Sequence, residues 1–379
     1  MKGKQGLVCM GLLLVLSSCS CHTGKQITAS GLQRKDFQTE VNGQHTDLFT
    51  LSNKQGMEVC ITNYGARVVS ILVPDRNGKR EDVVCGFSTI TEYMEQRQNF
   101  GSTVGRYIGR ILNARFTLDG VEYKLVPNNG KSGHISHGGN PGFADRIWKV
   151  EQADTHRVCL SYLSPDGENG FPGNLKVTLV YSLGEDDNAL DLTYEATTDA
   201  PTVLNLSHHS FFNISGNFTK SVEDQQLWVD ADRFTPYDDK KCVTGEYLPV
   251  AGTPLDFRMP HTIGECIDAD HPQLKVVNGY DHTWELNTKG DDTRPAAWVY
   301  DPASGRKMEI FTTEPGMQIY TGNGLKGKMT GKGGIAYPFR SAVCFETMHF
   351  QDSPNQPGFP STVLRPGEVF RSHTVYKFE

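Results

Sequence analysis

The residues of this chain best suited to move a proton are one glutamate inside an apolar run and three stretches that carry histidine. Glu346 stands in SAVCFETMHF (341–350), where alternating apolar residues read as a strand and a buried carboxylate is costly. By period 2 it shares a face with Ala342 and Cys344, and partial desolvation there raises its basicity. The competing reading is an edge strand with one solvated face. His134 and His137 lie in HISHGGNPGF (134–143), where glycines flanking His137 let the backbone approach a ligand closely. In LNLSHHSFFN (204–213), a strand over Leu204 to His209 puts Asn205, Ser207 and His209 on one face. His208 then points the other way with Leu204 and Leu206, so the two histidines have different jobs. The third stretch, GYDHTWEL (279–286), sets Asp281 and His282 beside an aromatic.

Imidazole titrates near neutrality and a desolvated carboxylate accepts protons, so these groups suit general acid–base chemistry. His134, His137 and Asp281 can also be read as metal ligands. Neither helical H-x-x-x-H spacing nor a cysteine partner supports that, and no metal is expected. VGRYIGRI (104–111) has G-x-x-x-G but no dinucleotide fingerprint; Arg106 and Arg110 offer donors suited to hydroxyls or carboxylates.

The elements that must hold these residues are strands. NALDLTYEAT (188–197) puts Leu190, Leu192, Tyr194 and Ala196 on one face and polar residues on the other. LKVTLVYSL (175–183), QLWVDADRF (226–234) and MEIFTTEPGMQIYTG (308–322) read similarly, each as one strand-like run. Turn signals separate them, among them PDRNGK (74–79), LDGVEY (118–123) and DPASGR (301–306). Only TITEYMEQ (89–96) looks helical. The prediction is an all-β chain, a large antiparallel sandwich or barrel, forming one domain over residues 35–379.

Ahead of that domain, Lys2 and Lys4 precede an apolar run, LVCMGLLLVL (7–16), then Ser17, Ser18 and Cys19. This reads as a signal peptide over residues 1–18, too short to span a membrane. Its end resembles the lipobox of bacterial lipoproteins, with Cys19 acylated and residues 19–34 as a polar tether. The chain has 379 residues and a formal net charge of −7, which loss of the two lysines makes more negative. Lysine and arginine are scattered rather than clustered, so the charge pattern suggests neither a nucleic-acid surface nor a polybasic membrane patch. Nine cysteines include no C-x-x-C, and Cys60, Cys85, Cys159 and Cys344 lie in apolar runs as small hydrophobes. The GEDDN run (184–188) has oxygens that could hold calcium but reads better as a solvated turn.

Taken in order, FGSTVGRYIGRILNARFTLDGVEYKL, SHGGNPGFADRIW, LNLSHHSFFNISG, GYDHTWEL, TTEPGMQIYTGN and FETMHFQDSPNQPGFPSTVLRPGE resemble the aldose 1-epimerases, the galactose mutarotases. The resemblance runs from about residue 35 to 379. It implies a large β-sandwich with an open sugar cleft, exchange of α- and β-anomers of free aldohexoses, and no required cofactor. It also implies catalytic roles for His209 as acid, Glu346 as base and His137 as a second histidine. Arg110 and Asp281 would bind substrate. Glu314 stands where many relatives have Gln in T-T-Q-P-G, and is expected among the substrate-binding residues. Gly109 stands where the family usually has Asn, so an amide is missing. Aromatic candidates for a sugar face are Phe211, Tyr280 and Trp284. The expected partner is a small aldose, with membrane attachment only through the N-terminal lipid, no nucleic acid, and a monomer exported to the cell envelope. Readings from other classes are a non-catalytic sugar-binding lipoprotein and a glycoside hydrolase using Asp281 and Glu346. A hexose-6-phosphate epimerase would need a basic cluster beyond Arg67, Arg106 and Arg110.

Overall fold

The computed structural model describes residues 26–379, so the leader and Cys19 lie outside the described residues. Two sheets dominate. The larger has nine strands, running in space from Lys149–Ala153 through Arg157–Ser164, Leu175–Leu183 and Ala189–Thr198 to the C-terminal Phe370–Phe378. It continues through Lys307–Thr312, Ala297–Tyr300 and Gln226–Val229 to His261–Thr262. Strand alternation explains its position: Leu175–Leu183 buries every odd residue and leaves the even ones wetter. Ala189–Thr198 buries Leu190, Leu192, Tyr194 and Ala196, the face its sequence marks.

The smaller sheet has six strands, ordered Phe211–Phe212, Val343–Met348, Gly316–Tyr320, Asp281–Glu285, Arg233–Thr235 and Leu248–Pro249. Trp284, Met317, Ile319, Val343 and Phe345 from this sheet share one apolar cluster with Leu179, Leu192 and Ile310 of the nine-stranded sheet. Each such side chain stabilises the sandwich by roughly 1.5–3 kcal/mol. A four-stranded sheet, Leu48–Ser52 to Arg80–Asp82, adds Leu51, Val59 and Ile71 to the same cluster. Every strand pair in these sheets is antiparallel.

Period 2 now has a consequence for chemistry. Val343 and Phe345 point into the core, so Cys344, Glu346 and Met348 point to the other face. On the next strand Met317 and Ile319 face the core, which turns Gln318 outward opposite Glu346. Trp284 faces the core one strand further, which turns Asp281 and Thr283 outward, with Thr283 opposite Gln318. A row of polar side chains therefore crosses the non-core face of the six-stranded sheet.

Two runs that read as continuous are not. QLWVDADRF divides into Gln226–Val229 of the large sheet and Arg233–Thr235 of the small one. MEIFTTEPGMQIYTG likewise divides into Lys307–Thr312 and Gly316–Tyr320, with Glu314 and Pro315 at the crossing. Proline cannot extend a central ladder. The helix Ile90–Gln96 forms as read, closed by a capping box between Thr89 and Glu92. A second short helix, Pro272–Val277, begins on a proline that suits its first position.

The tether reading fails over its last part. Ile27 bridges Gln33, Leu32 is buried, and the Ala29 N–H donates to Glu58 Oε1 at 2.7 Å. Residues 26–34 pack on the sandwich because Leu32 has apolar surface to cover, so the folded part begins before residue 35. The GEDDN run is a turn at the surface, and Glu185 pairs with Lys54 at 2.8 Å. No helix among the described residues is long and apolar enough to cross a membrane. The six described cysteines, Cys60, Cys85, Cys159, Cys242, Cys266 and Cys344, are free thiols.

Candidate active site

The polar row on the six-stranded sheet is one wall of a cavity of about 250 Å³. Ligand sites for drug-sized molecules run to roughly 300–1,000 Å³, so this one suits a single small ring. Glu346, Asp281 and Gln318 come from the sheet, and His209 from the short strand Ser207–His209. Arg110 and His137 come from a two-stranded ribbon in which Ser136 pairs with Arg110. That ribbon is locked: the His137 N–H donates to Gly109 O at 2.9 Å, and the Asp352 N–H donates to Arg110 O at 2.8 Å.

Glu346 Oε1 lies 3.4 Å from His209 Nε2. The glutamate is 4% exposed, which rejects the solvated-edge reading of its strand. Burial, with the Asp281 carboxylate adding to it, pushes Glu346 well above the usual carboxylate range. Burial also pushes His209 well below its usual value, helped by His137 and His208. Expected to titrate near neutrality, His209 is instead held neutral when it has no partner charge. The two groups thus share one proton between them, as carboxyl with imidazole or as carboxylate with imidazolium. Phe211 stacks on the His209 ring at 5.1 Å and keeps its orientation.

His137 is pushed down to about 4 by burial and the Arg110 charge, so it stands neutral at pH 7. Its Nδ1 faces the Gly109 N–H at 3.4 Å, which favours the tautomer with Nε2–H free to donate. Asp281 is raised by burial while Arg110 and Gln318 oppose the shift, and Gln318 Nε2 donates to its Oδ1 at 2.6 Å. The Arg110 guanidinium lines the cavity with no bond to a protein acceptor among the described residues, leaving its donors for a ligand.

Glu314 does not belong here. It is buried away from the cavity and pairs with His349 Nδ1 at 2.7 Å, because the crossing between sheets carries its side chain to that histidine. This contact raises the His349 pKa against the effect of burial. Its stabilisation is present below the unfolded value of about 6.5 and is lost as pH rises through the raised folded value. Glu314→Gln is expected to leave KM for sugar unchanged while costing about 1–2 kcal/mol of stability at pH 6. The cost should shrink towards pH 8. Sugar titrations and thermal melts at both pH values check this.

Other candidates separate in the same way. Arg106 is buried, donating to Pro172 O at 2.7 Å and Ser164 Oγ at 2.6 Å, and Arg67 donates to Gln98 O and Ala144 O. Both are spent on the scaffold, so neither joins Arg110 in a cluster for a phosphate. His134 accepts from the Asn113 N–H at 2.9 Å and meets Cys242 Sγ at 3.2 Å, so it is no partner of His137 in a metal site. His208 faces away from the cavity onto Ser210 Oγ at 2.6 Å and is pushed down to about 3 by burial. Tyr280 and Trp284 are core residues, and only Phe211 of the three aromatics lines the cavity. His209, Cys344 and Glu346 have ligand atoms within 4.8 Å of one another. Burial holds the Cys344 thiol protonated, so it is a poor metal ligand.

Sequence reasoning misses Gln318 and Gln351. Gln318 carries a signal, since it interrupts a buried strand as Glu346 does. Gln351 carries none, because it follows the strand in a loop. Its Oε1 accepts the Arg110 N–H at 3.2 Å and its Nε2 donates to Tyr237 Oη at 2.6 Å. Gly109 has φ +74°, and a Cβ there would lie 2.5 Å from Gln351 Cγ. The amide that residue 109 lacks is thus replaced in space by that of Gln351.

A family model described as Aldose 1-epimerase matches residues 47–377. A galactose mutarotase of Sus scrofa is 39% identical over 330 residues, covering 87% of this chain and 93% of the relative. An aldose 1-epimerase of Escherichia coli K12 is 36% identical over 339 residues, covering 89% and 96%. Among solved structures, an aldose epimerase homologue from C. elegans superposes with a TM-score of 0.81 at 31% identity, covering 88% of this chain and 99% of its own. A galactose 1-epimerase from Lactobacillus acidophilus gives 0.78 at 28%, covering 90% and 97%.

Proposed function

The chain belongs to the aldose 1-epimerase family, and we propose that it exchanges the α- and β-anomers of free aldohexoses such as galactose and glucose. The observation that carries this reading is the Glu346–His209 contact at 3.4 Å in a cavity sized for one ring. In a cyclic sugar the C1 hydroxyl and the ring oxygen are bonded to the same carbon. A base and an acid side by side can therefore meet both.

Glu346 takes the proton of the C1 hydroxyl while His209 gives one to the ring oxygen, and the C1–O5 bond breaks to leave an open-chain aldehyde. Rotation about C1–C2 presents the opposite carbonyl face. The C5 hydroxyl attacks it, returning its proton to His209, while Glu346 returns a proton to the carbonyl oxygen. Both groups end as they began, and the protein exchanges only protons with the sugar. His137 supplies a neutral donor near the ring oxygen. Arg110 and the Asp281–Gln318 pair hold remote hydroxyls, which positions the reacting carbon.

Polarimetry on freshly dissolved α-glucose and α-galactose tests the reading; the protein should hasten decay of rotation well beyond buffer. Binding of either sugar without faster decay would instead identify a carbohydrate-binding protein.

The apolar leader over residues 1–18, followed by Cys19, supports export and lipid anchoring in the cell envelope. Full-length protein is expected to fractionate with membranes, and Cys19→Ser to release it. Recovery of the unaltered protein in the cytoplasm without lipid would reject the anchor and leave the chemistry intact.

A further inference from the structure

We propose that Tyr237 is a positioning residue for anomer exchange, its hydroxyl holding the amides of Gln351 and Gln318 at the angles at which they meet sugar hydroxyls. This deepens the anomer-exchange reading and rests on it. Tyr237 stands behind the cavity wall, 4% exposed, while both glutamines line the cavity. Gln351 Nε2 donates to Tyr237 Oη at 2.6 Å, and Gln318 Nε2 faces the same oxygen at 3.4 Å. Gln318 Nε2 also donates to Asp281 Oδ1 at 2.6 Å, and its Oε1 accepts the Thr283 hydroxyl at 2.5 Å. One phenol thus governs Gln351 and Gln318 directly, and Asp281 through Gln318.

The tyrosine is itself fixed. Its N–H donates to Gln273 Oε1 and Gln273 Nε2 donates back to its carbonyl, both at 2.8 Å. Its ring lies 5.3 Å from that of His282 and shares an apolar cluster with Phe350 and Phe359. Burial, with the Asp281 charge adding to it, raises the phenol pKa and keeps the proton on. Tyr237 therefore adds no charge and takes no part in the proton shared by His209 and Glu346. A glutamine side chain has several rotamers, and an outside partner that selects one spares the ligand that cost. With Nε2 held by Tyr237, Gln351 Oε1 meets the Arg110 N–H at 3.2 Å and keeps a second lone pair for a sugar hydroxyl. It does so beside Gly109, which has no side chain to offer.

The test measures kcat and KM for glucose and galactose in Tyr237→Phe, Gln351→Ala and the double variant, with melting temperatures alongside. Phenylalanine keeps the ring and removes the hydroxyl. KM should rise roughly tenfold with kcat within about threefold of the parent, as expected when groups that hold ground state and transition state alike are loosened. Gln351→Ala should raise KM at least as far, and the double variant by less than the product of the two, because the hydroxyl acts through that amide. Adding Gly109→Asn to Gln351→Ala should recover most of the lost affinity. Alanine vacates the place of Gln351 Cγ, and asparagine tolerates a φ of +74°. A lowered melting temperature with KM unmoved in Tyr237→Phe would make the tyrosine a packing residue and overturn the proposal. So would an unmoved KM in Gln351→Ala, or effects of the two substitutions that multiply in full. Failure of the parent to exchange either sugar would overturn the underlying reading as well.

Discussion

Glu346→Gln should lower kcat for anomer exchange by about 10³-fold, with KM changed far less, as expected for loss of a positioned base. Glutamine keeps the shape and can still face His209 Nε2, so the sugar should still bind. The same change should stabilise the protein. Burial raises the folded pKa of Glu346 above its unfolded value of about 4.5. Its stabilisation is therefore complete below that value and lost as pH rises through the folded one, at about 1.4 kcal/mol for every pH unit separating the two. Glutamine carries no such dependence. At pH 7–8 the variant should melt higher than the parent, and the gap should close towards pH 4. A structural glutamate would give the opposite result, with activity and melting temperature falling together.

His209→Asn should lower kcat by about 10²–10³-fold and change the shape of the pH profile. In the parent, the working state has one proton on the His209–Glu346 pair. A second proton removes the base, and burial delays that step to pH values well below 6.5. Loss of the only proton removes the acid, and burial of Glu346 delays that step to well above 4.5. The expected profile is a bell with a broad plateau, its limbs belonging to the pair rather than to either residue. With asparagine at 209 the alkaline limb of the pair disappears. Residual activity then rises with pH as Glu346 ionises. Combining the two substitutions should cost little more than the worse one alone, because acid and base act as a unit. An additive double variant, or a bell retained by His209→Asn, would reassign the acid. His137 is the group to examine then, being neutral and 5.6 Å from His209 by ring centres.

Several features of the fold and the site could be read along the chain because they depend on local repetition. The alternation of Leu190, Leu192, Tyr194 and Ala196 specified a strand with one buried face. Thr89 and Glu92 specified a helix start. Period 2 alone put His209 and His208 on opposite faces and set Glu346 on the side of Cys344. The six dispersed segments resembling aldose 1-epimerases marked His137, Arg110 and Asp281 as well, and all of these line the one cavity.

The failures share a cause. Arg106 and Arg110 are the same residue type four positions apart, yet one is spent on carbonyls of Ser164 to Gly173 and the other faces the cavity with free donors. Glu314 looked like a ligand-binding residue, but its run crosses between two sheets, and only their packing brings His349 to it. Gln351 reaches the space beside Gly109 from 242 positions away along the chain, and no local pattern carries such a contact. The sequence by itself determined which residues alternate, where turns fall and which side chains could move protons. The tertiary structure alone decided which of them meet, and which are neutral when they do. Desolvation and a 3.4 Å separation arise only when strands distant in sequence are stacked against one another.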